Sequence, residues 1–177
     1  MRISYFLIVL TGLLGHSFAR ADRDDFPVPP SSASRLFYIQ RSNNTNTVIY
    51  DANMLADKKL DPRKPVSVYW IRYAEKGQQE GLSFFQWKMA YGYKHRPLNG
   101  ADGFEFSLNA FDKRPIRITN ERGRAMAMMQ INGRLAQLYK VFVQIAPGNH
   151  LVPDVQYIEL FGVDTDGNHP VYERIMI

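Results

Sequence analysis

The stretch from Pro65 to Tyr93 constrains this chain most. It opens Pro-Val-Ser-Val-Tyr-Trp-Ile-Arg-Tyr, passes a polar break, and continues Leu-Ser-Phe-Phe-Gln-Trp-Lys-Met-Ala-Tyr-Gly-Tyr, and it holds both tryptophans of the protein. The first half has the two-residue period of a strand. Val66, Val68, Trp70 and Arg72 fall on one face, and Ser67, Tyr69, Ile71 and Tyr73 on the other. The second half changes to helical spacing. Leu82, Phe85 and Met89 make one stripe, Phe84, Trp87 and Tyr91 a second, and Gly92 is placed as a stop. A strand apolar on both faces, followed by a short helix over about residues 80–91 apolar on two faces, is expected at the centre of the fold.

The start of the chain reads as a leader. Arg2 supplies a small positive charge, residues 3–14 are an apolar run too short for a comfortable span, and Ala19 and Ala21 fit the small-residue pattern before a cleavage site. Residues 1–21 are therefore expected to be a secretory signal peptide. The run is followed by Asp22-Arg23-Asp24-Asp25, which argues against an uncleaved anchor and leaves no membrane span after cleavage. Residues 22–35 carry three prolines and no periodicity, so an extended or disordered tail is expected there. Residues 36–177 then make one β-rich domain, long enough to bury a sizeable core.

The formal charge of +5 falls by two when Arg2 and Arg20 leave with the leader, and the remaining basic residues are scattered. Lys58-Lys59 and Arg63-Lys64 read as a solvated loop. No basic stripe interleaved with aromatics is present, so nucleic acid is not an expected partner. The chain has no cysteine, which excludes thiol catalysis, iron–sulfur clusters and Cys-based zinc sites. An exported chain without disulfides must rest on its hydrophobic core, which points to a bacterial periplasmic or secreted protein.

Along the domain the pattern is of short strands. Residues 36–53 predict a hairpin turning at Asn43-Asn44-Thr45. Residues 94–102 read as a loop broken by Pro97 and Gly100. Phe104, Phe106, Leu108 and Ala110 alternate with polar residues, and Ile116 and Ile118 point inward on the next strand. Asn132-Gly133 is the strongest hairpin signal, joining strands over 124–131 and 134–145; Leu135, Tyr139, Val141, Val143 and Ile145 are expected on one side of the latter. Residues 155–163 and 170–177 form a last hairpin. The sum is a mainly β chain: an antiparallel β-sandwich or flattened barrel of about nine strands with one short helix.

The segments Phe-Tyr-Ile-Gln-Arg-Ser-Asn-Asn-Thr-Asn-Thr-Val-Ile-Tyr-Asp-Ala-Asn at 37–53, Pro-Val-Ser-Val-Tyr-Trp-Ile-Arg-Tyr-Ala-Glu-Lys-Gly at 65–77, Ala-Tyr-Gly-Tyr at 90–93, Asn-Gly at 132–133 and Val-Gln-Tyr-Ile-Glu-Leu-Phe-Gly at 155–162 carry a resemblance. Together they resemble an uncharacterised family of exported bacterial single-domain proteins, catalogued as a domain of unknown function. The resemblance spans essentially all of the chain after the leader. It implies a bacterial, exported, single-domain protein and brings no catalytic residue with it.

No reaction is legible. Asp164-Thr165-Asp166-Gly167-Asn168 has the oxygen density of a calcium loop but lacks the later ligands, and a hairpin turn accounts for it. His95, His150 and His169 share no helical spacing, no nucleophile elbow or phosphate loop occurs, and the carboxylates are scattered. No metal, cofactor or catalytic residue is expected. The one informative constellation is cationic and aromatic. Arg41 ends the face of Phe37 and Ile39, and Arg72 ends the face of Val66, Val68 and Trp70. If these faces share one interior, two guanidiniums meet at its rim beside Trp70, Trp87 and Tyr91, which suits an anionic, partly apolar ligand. The plainer alternative, favoured by how common such pairs are, is that each arginine emerges at a sheet edge or pairs with Glu75, Glu80 or Asp51. The expected function is an exported binding or envelope-accessory module for an anionic amphiphile. A protein- or glycan-interaction module and a hydrolase using loop His and Asp are the alternatives.

Overall fold

A computed structural model describes residues 26–148, 153–166 and 169–177. The expected leader and the first residues of the tail lie outside the described residues, as do His150, Gly167 and Asn168. β1 (Arg35–Arg41) and β2 (Asn44–Ala52) form the expected first hairpin, which turns at Ser42-Asn43 rather than at Asn43-Asn44-Thr45. β3 (Val66–Ile71) pairs with β2, and the short β4 (Gln79–Gly81) ends that side of the sheet. One turn of α-helix, α1 (Phe84–Gln86), runs directly into a π-helical turn (Trp87–Tyr91) and delivers the chain to β5 (Tyr93–Pro97). β6 (Gly103–Leu108), β7 (Phe111–Glu121), β8 (Arg124–Ile131) and β9 (Arg134–Ile145) follow as a meander, and β10 (Val155–Asp164) and β11 (Pro170–Met176) make the last hairpin. At the β7–β8 and β8–β9 turns, Arg122-Gly123 and Asn132-Gly133 all have positive φ, the backbone that two-residue hairpin turns require.

The protein is mainly β with one short helical segment, and all the described strands join a single curled sheet. The described strands number eleven rather than about nine. β4 is too short and polar to announce itself. β5, read as loop, is an edge strand that ends in the Pro97 breaker. The sheet is also not wholly antiparallel. β9 pairs with β8 near its start, with Gln137 opposite Met128, and then runs parallel to β1, with Val141 opposite Ile39. Its other edge carries β10. Two half-sheets, β4-β3-β2-β1 and β8-β7-β6-β5, therefore leave the same edge of β9 and curl toward one another as a half-barrel.

Aromatic packing joins the two halves. Phe37 stacks on Tyr50 at 4.3 Å between ring centres, and both meet the edge of Phe106 across the interior. The Tyr93 hydroxyl donates to the Val66 carbonyl at 2.7 Å and accepts from the Val66 N–H at 3.2 Å, linking β5 to β3 where no ladder connects them. Outside the curl, Phe26 packs edge-on against Phe142, and Gln40 Nε2 donates to the Pro27 carbonyl, so the tail is tied to the sheet at Phe26 and Pro27.

On β9 the expected inward face is only half right. Ala136 and Leu138 are fully buried, whereas Leu135 and Tyr139 are 44% and 40% exposed. The cause is a bulge. Phe161 faces Lys140 but Gly162 faces Leu138, which leaves Tyr139 as an extra residue. One extra residue reverses the alternation, so Ala136 and Leu138 before it share a face with Val141 and Val143 after it.

Candidate functional site

The site is built on the turn between β4 and β5. Ser83 caps it: Ser83 Oγ accepts from the Gln86 N–H at 3.2 Å, and Gln86 Oε1 accepts from the Ser83 N–H at 2.9 Å. The indole N–H of Trp70 also donates to Gln86 Oε1 at 3.3 Å, tying the turn to the core. Only one turn is α-helical. The next winds wider, with the Gly92 N–H donating to the Trp87 carbonyl at 2.9 Å, and a Cβ at Gly92 would collide with that carbonyl oxygen. The change of winding breaks the 3.6-residue period, which corrects the expectation of a central helix. Leu82 and Tyr91 pack against the core, but Phe84, Phe85 and Met89 are 80%, 70% and 58% exposed.

Trp70 is 1% exposed and is the hub of what the sequence brought together. Tyr91 meets it edge-on at 5.1 Å. The Arg41 guanidinium carbon stands 4.9 Å from the Trp70 ring and 5.8 Å from the Tyr91 ring, and that of Arg72 stands 5.9 Å from the Trp70 ring. Both arginines thus share one indole. Their surroundings differ. Arg72 lies 2.9 Å from Glu75 and 3.2 Å from Glu80, so protein carboxylates already neutralise it. Asp51 is taken by Arg35 and the Tyr69 hydroxyl. Arg41 has no carboxylate among the described residues. Its Nη2 makes a long bond to Asn44 at 3.4 Å, its side chain also hydrogen-bonds the Tyr91 hydroxyl, and its buried Nε, like that of Arg72, has no hydrogen-bond acceptor. Trp87 stands apart from this group, packed on Tyr93 at 5.3 Å, with its carbonyl accepting from Asn109 Nδ2.

Arg41 and Tyr91 form part of the wall of a cavity of about 300 Å³. It lies where the half-sheets diverge from β9, and its lining is almost wholly apolar, with Leu138, Val141 and Val143 from β9, Ile158 and Leu160 from β10, and Ile116 from β7. Among the described residues no Asp or Glu lines it. The volume is at the lower end of small-molecule sites. Burial pushes the Tyr91 hydroxyl above its ordinary pKa, and the nearby Arg41 charge opposes the shift. The Tyr50 hydroxyl donates to the Tyr91 carbonyl at 2.8 Å, which fixes this part of the wall to the core.

A second cation of the lining was missed from sequence. Arg114 shares the inward parity of Ile116 and Ile118 on β7, the same pattern that singled out Arg41 and Arg72. It is neutralised: Arg114 Nη1 donates to Glu173 Oε2 at 2.7 Å. That hydrogen bond holds the Glu173 carboxyl below the usual carboxylate range. Arg41 is therefore the cation of this cavity left without a protein carboxylate among the described residues.

The described histidines, His95 and His169, do not gather. His95 packs against Tyr93 and Phe104, and His169 Nδ1 lies 2.8 Å from Asp164 on the exposed last hairpin. Among the described residues no three His, Asp or Glu side chains could hold a metal ion, and no helix is long and apolar enough to cross a membrane.

Residues 37–174 match the model of a family described as a domain of unknown function, DUF4833. No curated protein and no solved structure matches.

Proposed function

The chain belongs to that family, and on this premise we propose that it is an exported binding module for an anionic amphiphile, with the hydrocarbon in the cavity and the charged head at Arg41. The observation that carries the proposal is a guanidinium with no carboxylate among the described residues, its Nε lacking an acceptor, in the wall of a cavity whose lining is apolar apart from it and the Glu173-paired Arg114. A partly buried cation with an unmet donor favours an anion that supplies both charge and acceptors. The Trp70 and Tyr91 rings hold the guanidinium from its other sides. Arg72 then acts in a supporting role, fixed by Glu75 and Glu80 against the same indole.

The test is calorimetric titration with dodecanoate below its micelle concentration, beside dodecanol as the uncharged counterpart. Dodecanoate should bind more tightly, and affinity should rise roughly fourfold per added methylene until the cavity is full, from about 0.8 kcal/mol per buried CH₂. Arg41→Gln should remove the preference for the acid and spare the alcohol. Equal binding of acid and alcohol by the natural protein, or no binding of either, refutes the proposal. Mass spectrometry of material extracted from the natively purified protein would identify the occupant.

A further inference from the structure

The exposed turn beside the cavity has its own chemistry. Phe84 and Phe85 project from α1, and Met89 on the following turn is both exposed and part of the cavity wall. This is an ordered tip. The Ser83–Gln86 cap, the Trp70 bond to Gln86 and the Gly92 bond to Trp87 all hold it. Its flank is basic: the Lys88 ammonium lies 5.9 Å over the Phe84 ring, and Lys88 and Lys94 line one depression with Asp112 as its sole carboxylate.

We infer that this tip docks on an anionic lipid surface and that the cavity takes its ligand from that surface. The second half of this inference rests on the reading of the cavity proposed above. Met89 belongs to both features, so whatever the tip meets stands against the wall of a space that suits a hydrocarbon chain with an anionic head. A lipid surface presents both at one depth. Phenylalanine rings and a methionine enter the boundary between headgroups and acyl chains, while lysine stems lie along the apolar surface and leave their ammonium groups at the phosphates. One short turn with two lysines gives reversible attachment, since stable anchoring needs a larger apolar insertion or a second signal. Reversible attachment is what a carrier collecting or delivering a ligand requires.

The absence of cysteine permits a local test. Protein produced from residues 1–177 carries Phe85→Cys labelled with an environment-sensitive dye, so the signal reports the tip whatever the N-terminus does. Mixed phosphatidylcholine and phosphatidylglycerol vesicles should shift its emission to the blue with saturation, and phosphatidylcholine alone should bind at least about tenfold more weakly. Lys88→Gln with Lys94→Gln should weaken binding to the anionic vesicles by roughly tenfold or more and leave dodecanoate titration unchanged. No blue shift on anionic vesicles overturns the docking. So does a shift that appears without vesicles and grows with protein concentration, which would mean that a second copy covers the tip. Equal binding to both vesicle types overturns the role of the lysines. A blue shift on anionic vesicles with no dodecanoate uptake overturns the cavity reading and leaves the docking standing.

Discussion

Replacing Arg41 by methionine separates a binding arginine from a structural one. The substitution keeps an unbranched side chain of similar reach and removes the guanidinium. The losses are the contacts with Trp70 and Tyr91 and one long hydrogen bond to Asn44. Together these are worth about 1.5–2.5 kcal/mol. The gain is relief of a buried Nε that has no acceptor, about 1–3 kcal/mol. The two nearly cancel, so Arg41→Met should change unfolding free energy by no more than about 1 kcal/mol. The proper contrast is Arg174→Met. That arginine faces the fully buried Glu159 at 3.0 Å; removing one partner of a buried carboxylate typically costs about 3–5 kcal/mol, reduced here because Arg174 is itself 40% exposed and Glu159 also accepts from the Tyr172 hydroxyl. Urea unfolding measures both. In the same Arg41→Met protein, affinity for dodecanoate should fall about ten- to hundredfold, the worth of a hydrogen bond to a charged group. If Arg41→Met costs more than about 3 kcal/mol while Arg174→Met costs less, Arg41 is a structural cation and the argument fails.

Trp70→Ala should cost about 3–5 kcal/mol, because the indole is buried and holds Gln86, Tyr91 and both arginines; a measured loss below about 1 kcal/mol would show that the surroundings collapse into its place. Glu173 has its carboxyl pKa lowered, chiefly by Arg114. Its stabilising contribution is therefore complete above the ordinary value of 4.5 and is lost as pH falls through the lower value of the folded state. Arg114→Gln should consequently destabilise the protein near neutrality, with the difference from the natural protein shrinking as acid is added through that range; a difference independent of pH would show that the pair is not what stabilises there. N-terminal sequencing of the exported protein should begin at Asp22, and recovery of Met1 would refute the leader reading.

Several elements were legible because their cause is local. The alternation of Phe104, Phe106 and Leu108 reports a half-buried strand, and each of these residues is buried, whereas Ala110, expected on the same face, lies exposed in the turn to β7. Asn132-Gly133 announced a hairpin because both residues accept positive φ, and both adopt it. The strand-end position of Arg41 and the aromatic character of Trp70 and Tyr91 marked the residues that meet around one indole. The inward parity of Arg114 with Ile116 and Ile118 is equally visible in the sequence.

What the chain determined by itself was its strands, its turns and the chemistry of its faces, since period, φ preference and side-chain polarity act within a few residues. Tertiary structure alone decided three things. The Tyr139 bulge depends on how β9 meets β10, and it reversed the inward face that alternation predicted. The parallel pairing of β1 with β9 joins residues about a hundred positions apart, and it opens the divergence in which the cavity lies. The division of labour between the arginines was set by which carboxylates came within reach. Glu75 and Glu80 close on Arg72, and none of the described carboxylates arrives at Arg41, because partner distance is a property of the folded sheet and not of sequence spacing.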